Sequence, residues 1–143
     1  MLKVVLDTNV LIVAVSRRSR HYPIFEALLE GRYELCVTTD ILDEYAEKLE
    51  EKYRPDGMEN FMQFLERSPD VVRITKFYYW NLIANDPDDD KFVDCAVAAN
   101  ADFIVTDDRD FRVLERVAFP KIRVISADDF VEMLTGKRPE KRR

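Results

Sequence analysis

Nine aspartates fall between Asp86 and Asp110, against only Lys91 and Arg109, in a chain whose formal net charge is −6. Two like charges about 4 Å apart repel by roughly 4 kcal/mol at an effective dielectric of about 20. Carboxylates gathered this densely call for a counter-charge, and Mg²⁺ or Mn²⁺ with oxygen ligands is the natural one. Such an ion polarises phosphoryl oxygens and lowers the pKa of a bound water, which is hydrolytic chemistry that needs no histidine or cysteine. Acids outside the run join it by position. Asp7 ends a buried apolar run, Leu2 to Leu6, with Asn9 two residues on. Asp107 and Asp108 end Phe103-Ile104-Val105 in the same way, and by spacing alone either can be a ligand. Asp90 and Asp94 are i,i+4 and share one helical face. Asp94 borders the apolar stripe of Val93 and Val97, a costly place for an idle carboxylate. Glu44 stands one turn into the helix after the second strand, but position alone does not choose it over Asp40, Asp43 or Glu47, and a Glu44–Lys48 pair is an equal alternative.

The elements that must position these acids read as strand–helix alternation. Strands are expected at 2–6, 33–37, 71–75, 103–105 and 122–125, from short apolar or β-branched runs. Between them lie a short helix over 9–15 and a helix opened at Pro23 and ended by Gly31. A third helix is capped at Thr39, with Leu42, Tyr45, Ala46, Leu49 and Tyr53 inward. Pro55-Asp56-Gly57 reads as a turn, followed by a helix over 58–65 with Phe61, Met62 and Leu65 inward. Asp89 or Asp90 caps the next helix, and Ser126 to Asp129 is a capping-box start for the last one, 130–134. Residues 76–84 are ambiguous, and Phe77, Tyr78, Tyr79 and Trp80 read as core or interface packing. The expected fold is α/β: a three-layer α/β/α sandwich on a mostly parallel sheet of about five strands, a single domain over 1–135 with a basic, disordered tail at 136–143. In such sheets ligands bind outside the carboxyl ends of the strands, where Asp7 and Asp108 stand.

Composition narrows the classes further. With 143 residues and nine Phe, six Tyr and one Trp, the chain suits one packed domain. No apolar stretch is long enough to span a bilayer, and Asp7 interrupts what a signal peptide would need, so no membrane role is expected. Cys36 and Cys95 have no metal or redox spacing and read as small core residues in a reducing cytoplasm. An acidic body argues against bulk electrostatic binding of nucleic acid, though Arg17, Arg18 and Arg20 form a local basic loop able to meet phosphates. His21, the single histidine, reads as incidental beside them. A calcium loop from Asp86 fails because Lys91 replaces the required glycine and Val97 the closing glutamate. A haloacid-dehalogenase-type phosphatase would need a second aspartate where Asn9 stands. A response-regulator receiver would need a lysine where Ser126 and Ala127 stand. No glycine-rich phosphate loop is present.

Taken in order, four segments resemble the acidic motifs of PIN-domain ribonucleases: Asp7-Thr-Asn9-Val-Leu, Thr39-Asp-Ile-Leu-Asp-Glu44-Tyr, Asp86 through Asp94 to Ala99, and Ile104-Val-Thr106-Asp-Asp108-Arg-Asp-Phe. Each is weak alone, and together they cover the chain from Leu2 to about Phe130. The resemblance is to the VapC-type, toxin-component branch in particular. It implies an α/β/α fold, a cleft for one or two Mg²⁺ or Mn²⁺ ions and hydrolysis of single-stranded RNA. Asp7, Glu44, Asp94 and Asp108 carry over as metal and catalytic acids, with Asn9 and Thr106 in support. The acidic run 88–90 is denser than the pattern needs, so Asp89 or Asp90 can share the third position. A small antitoxin protein and a homodimer are the partners it implies. The competing reading is a catalytically silent PIN-like module for RNA binding or assembly, against which the intact acids count.

Overall fold

The computed structural model describes residues 1–53, 55–76, 79–83 and 87–140, giving the backbone alone for 55–59 and 87. Five strands form one sheet in the order β3-β2-β1-β4-β5: β1 (Lys3–Leu6), β2 (Glu34–Val37), β3 (Val71–Arg73), β4 (Phe103–Val105) and β5 (Val124–Ile125). Every pairing is parallel. Val4–Leu6, Leu35–Val37 and Phe103–Val105 are buried at every residue, which requires cover on both faces of the sheet and explains why these strands read as continuous apolar runs. Among the described residues the cover is six helices, α1 (Thr8–Ala14), α2 (Tyr22–Leu29), α3 (Thr39–Tyr53), α4 (Pro55–Arg67), α5 (Asp90–Ala99) and α6 (Ala127–Thr135). Phe130 of α6 packs edge-on against Tyr33 and Phe103, with centroids 5.2 and 5.5 Å away. Helix α5 lies across β1, β2 and β4.

The expected three-layer parallel architecture is therefore present, with several local corrections. Pro55-Asp56-Gly57 is the first turn of α4 and not a separate turn, because proline is tolerated at the start of a helix, where its missing N–H has no partner to lose. Thr39 lies inside α3. The carbonyl of Thr38 accepts from Leu42 N at 3.0 Å, so the helix begins one residue earlier than the cap expected. Asp89 takes the N-cap position of α5 but its side chain makes no capping bond. Strands β3 and β5 are shorter than their apolar runs, being edge strands paired on one side only. Gly31 follows α2 at φ +69°, a backbone conformation that favours glycine, and a Cβ there would sit 3.0 Å from Asp70 Oδ2, whose side chain would have to give. Ser126 caps α6 as expected, accepting from Asp129 N at 3.0 Å.

Tyr79 is 70% exposed and Trp80 half-buried, so these two are not core residues. Trp80 packs edge-on against Phe119, itself 81% exposed. Phe77, Tyr78 and Asp86 lie outside the described residues, as do positions 141–143 of the basic tail. From the rest of that tail, Arg138 reaches back to Asp129 and Glu132. Among the described residues no helix is long and apolar enough to cross a membrane.

Candidate active site

Strand β1 lies between β2 and β4, and the chain leaves it toward one side of the sheet before returning on the other. Leu6 pairs with Val105, so the carboxyl ends of β1 and β4 lie together at the point where the strand order reverses. A crevice forms there in open parallel sheets. Asp7 follows Leu6 directly, and its N–H donates to Val105 O at 3.0 Å. It occupies the N-cap position of α1 without capping it. Its carboxylate turns instead to Thr106, whose Oγ1 donates to Asp7 Oδ2 at 2.7 Å. Thr106 Oγ1 also accepts from Asp108 N at 3.0 Å. One hydroxyl thus orients an acid from each strand end.

Asp7 is 6% exposed. Burial raises its pKa above the ordinary carboxylate value, Asp108 and Glu44 push the same way, and the hydrogen bond from Thr106 opposes them. Asp7 therefore feels both Asp108 and Glu44. Glu44 is brought in by α3, which Tyr45 and Tyr53 fasten: Tyr45 OH donates to Leu6 O and Tyr53 OH to Ile12 O, each at 2.6 Å. Thr8 Oγ1 donates to Glu44 Oε2, and Lys91 Nζ lies 3.2 Å from Glu44 Oε1.

Position alone left Asp107 and Asp108 as alternatives, and the structure gives them different contacts. Asp107 Oδ1 accepts from Ala127 N at 3.0 Å, holding the start of α6. Asp108 Oδ1 accepts from Asp110 N at 2.9 Å and begins a 3-10 segment, Arg109–Arg116. One carboxylate oxygen from each of Asp89, Asp108 and Asp110 lies within 4.8 Å of the others. Asp89 and Asp110 therefore join Asp108 in one acidic group.

Asp90 and Asp94 each give one carboxylate oxygen to a backbone N–H. Asp90 Oδ1 accepts from Ile83 N at 2.8 Å and Asp94 Oδ1 from Trp80 N at 2.9 Å, so the two carboxylates hang the 79–83 segment on α5. Both line a cavity of about 550 Å³ together with Glu44, Lys76 and Lys91. Burial raises the pKa of Asp94, Asp90 and Asp40 add to the rise, and Trp80 N–H and Lys76 counter it. Asp7 and Asp108 line a second cavity of about 340 Å³ with Asn9 and His21. Glu44 lines the first cavity, and its charge also reaches Asp7 in the second.

Sequence reasoning passed over His21. It is 7% exposed, its Nε2 lies 2.7 Å from Asp128 Oδ1, and it lines the Asp7 cavity. Arg20 of the basic loop pairs with the same Asp128 at 3.5 Å, while Arg17 and Arg18 are exposed. Cys36 and Cys95 are buried and in no disulfide, and burial holds both thiols up, Cys36 to about 11, which leaves them poor nucleophiles.

The donors around Asp7 and Asp108 are mostly carboxylate oxygens, the imidazole of His21 being engaged by Asp128, and burial and like charge hold the Asp7 pKa up. That fits a hard divalent cation such as Mg²⁺ or Mn²⁺. A profile of the PIN domain matches residues 3–110. The fold is similar to that of a chain in the crystal structure of VapBC2 from Rickettsia felis bound to a DNA fragment from their promoter. The two share 20% sequence identity at a TM-score of 0.61, over 87% of this chain and 98% of that one. No curated protein matches the sequence.

Proposed function

This chain belongs to the PIN domain family, and we propose that it is a Mg²⁺- or Mn²⁺-dependent endoribonuclease acting on single-stranded RNA, the toxin of a toxin–antitoxin pair. The observation that carries the reading is the meeting of Asp7 and Asp108 at the reversal point of the sheet, with Glu44 close enough to raise the Asp7 pKa. Asp7, Glu44 and Asp108 would hold the ion, with Asp89 and Asp110 beside Asp108. Asp90 and Asp94 shape the adjoining cavity and add to its negative field. When bound, such an ion supplies Lewis-acid stabilisation of the phosphodiester and a water of lowered pKa. The protein's own part is to fix the acids. Thr106 aims Asp7, Thr8 aims Glu44, and the turn from Asp108 to Asp110 fixes the third. Asn9, exposed at the lip of the smaller cavity, would meet the ribose-phosphate chain, and the exposed Arg17 and Arg18 would add positive charge for it.

Single strands are favoured because the acidic body offers no broad basic surface to grip a duplex. Likeness of fold to a chain of VapBC2 supports a small antitoxin as partner, and the exposed Tyr79 and Phe119 support contact with that partner or a second copy. The test is incubation of the purified protein with one RNA sequence, single-stranded and as a duplex, in Mn²⁺ and in EDTA. Internal cleavage of the single strand in Mn²⁺ alone is expected. Cleavage that persists in EDTA, or that favours the duplex, contradicts the proposal.

A further inference from the structure

Lys91 is not held like a surface lysine. Its side chain is 14% exposed, and its ammonium lies 3.2 Å from Glu44 Oε1, 2.6 Å from Asp88 O and 5.0 Å from the centre of the Phe92 ring. Lysines ordinarily bury the stem and keep the head in water. Here the head is fixed by three contacts, with Glu44 on α3, the Asp88 carbonyl ahead of α5 and the Phe92 ring on α5, beside an acid that lines the larger cavity. Thr8 takes the other oxygen of Glu44, so both oxygens of this carboxylate are engaged within the chain. Lys76 makes a similar pair with Asp40 at 2.7 Å, but Asp40 is 47% exposed, and water screens that pair.

We propose that Lys91 is a built-in counter-charge for Glu44, standing in for the divalent cation while the site is metal-free and lowering the affinity for the cation once it arrives. The inference rests on the metal reading proposed above. Acids gathered at one sheet edge repel one another, and a resident ammonium 3.2 Å from Glu44 offsets part of that repulsion during folding. The same charge then opposes a second cation. Lysine suits the task better than arginine, being a compact charge on a flexible stem that can swing away, without a planar fork to lock it onto the carboxylate. A plain structural staple between α5 and α3 would also use such a pair, but it would not oppose the metal.

The two are separated by Mn²⁺ titration of the EDTA-stripped protein, reading the melting temperature of wild type, Lys91→Met, which keeps the stem, and Lys91→Arg, which keeps the charge. Lys91→Gln, run alongside, gives the same reading if the methionine variant fails to fold. Without metal, Lys91→Met should melt lower than wild type. Its half-saturating Mn²⁺ concentration should be about tenfold lower, the ratio a repulsion of about 1.4 kcal/mol gives between a divalent and a monovalent cation roughly 6 Å apart in a water-like dielectric. Saturating Mn²⁺ should return its melting temperature to that of wild type, and Lys91→Arg should titrate like wild type. An unchanged or higher Mn²⁺ midpoint in Lys91→Met overturns the role of Lys91 and leaves the nuclease reading standing. A wild type indifferent to Mn²⁺ overturns the metal reading and the role of Lys91 with it.

Discussion

Thr106 Oγ1 donates a 2.7 Å hydrogen bond to Asp7 Oδ2, joining residues 99 positions apart at the carboxyl ends of neighbouring parallel strands. The bond holds a buried carboxylate in place against its own desolvation and against the charges of Asp108 and Glu44. A folded protein keeps such an arrangement at a cost in stability, and that cost can be measured.

The cost has a sign in pH. The folded-state pKa of Asp7 is raised, so the native protein binds this proton more tightly than the unfolded chain. The stability it contributes is complete below the unfolded carboxylate value of 3.8 and is lost as pH rises through the raised folded value. Asp94, also raised, adds in the same direction. In EDTA at neutral pH, Asp7→Asn should therefore melt higher than wild type, by about 2–4 °C for each kcal/mol relieved. The asparagine oxygen can still accept from Thr106. The gap between the two proteins should close as pH falls below 4, and a variant that melts lower at neutral pH contradicts this account of the site.

Cation binding should reverse the ranking. A ligand that binds the folded state alone adds about 2.7 kcal/mol at a hundred times its Kd. Wild type should gain melting temperature in millimolar Mn²⁺, and Asp7→Asn and Asp108→Asn should lose most of that gain. Asp94→Asn should keep at least half of it, since Asp94 lines the other cavity and an amide oxygen can still accept from Trp80 N. Equal losses across the three variants would show instead that the ion sits among all these acids.

Tyr45 offers a test that touches no acid. Its hydroxyl donates to Leu6 O at 2.6 Å, fully buried, and fastens α3 beside the end of β1. Tyr45→Phe leaves that carbonyl without its partner, costing about 1–3 kcal/mol of stability. Because Glu44 precedes Tyr45 on α3, RNA cleavage should fall mainly in kcat with KM little changed. A variant with full stability and full turnover would show that this bond does not position Glu44.

How far the sequence could be read depended on whether a feature was local. Asp7 and the pair Asp107 and Asp108 were legible because they follow buried apolar strands, and parallel sheets gather ligands at that edge, but choosing Asp108 from the pair needed the family resemblance. The turn at Pro55 was misread because proline opens helices and turns alike, and the choice is made by the helix that follows. Expected strand 122–125 shrinks to Val124–Ile125 because an apolar run does not reveal where the pairing edge stops. His21 was missed for a different reason: its partner Asp128 lies 107 residues away, and no spacing announces the pair. Lys91 read as a base diluting an acidic run and as the residue that breaks a calcium loop, since its meeting with Glu44 depends on how α3 and α5 pack. Choosing Glu44 among its acidic neighbours needed the family resemblance, for helical position alone does not separate them.

The most direct measurement is the rate at which Asp7→Asn cleaves a defined single-stranded RNA in saturating Mn²⁺, beside wild type and with folding verified by the melting curve. An amide offers the ion one neutral oxygen where a charged carboxylate stood. The account predicts a folded variant, more heat-stable than wild type in EDTA, whose cleavage falls by a hundredfold or more, roughly the scale of losing one electrostatic contact to the transition state. A folded Asp7→Asn that cleaves at the wild-type rate would contradict the assignment of this site.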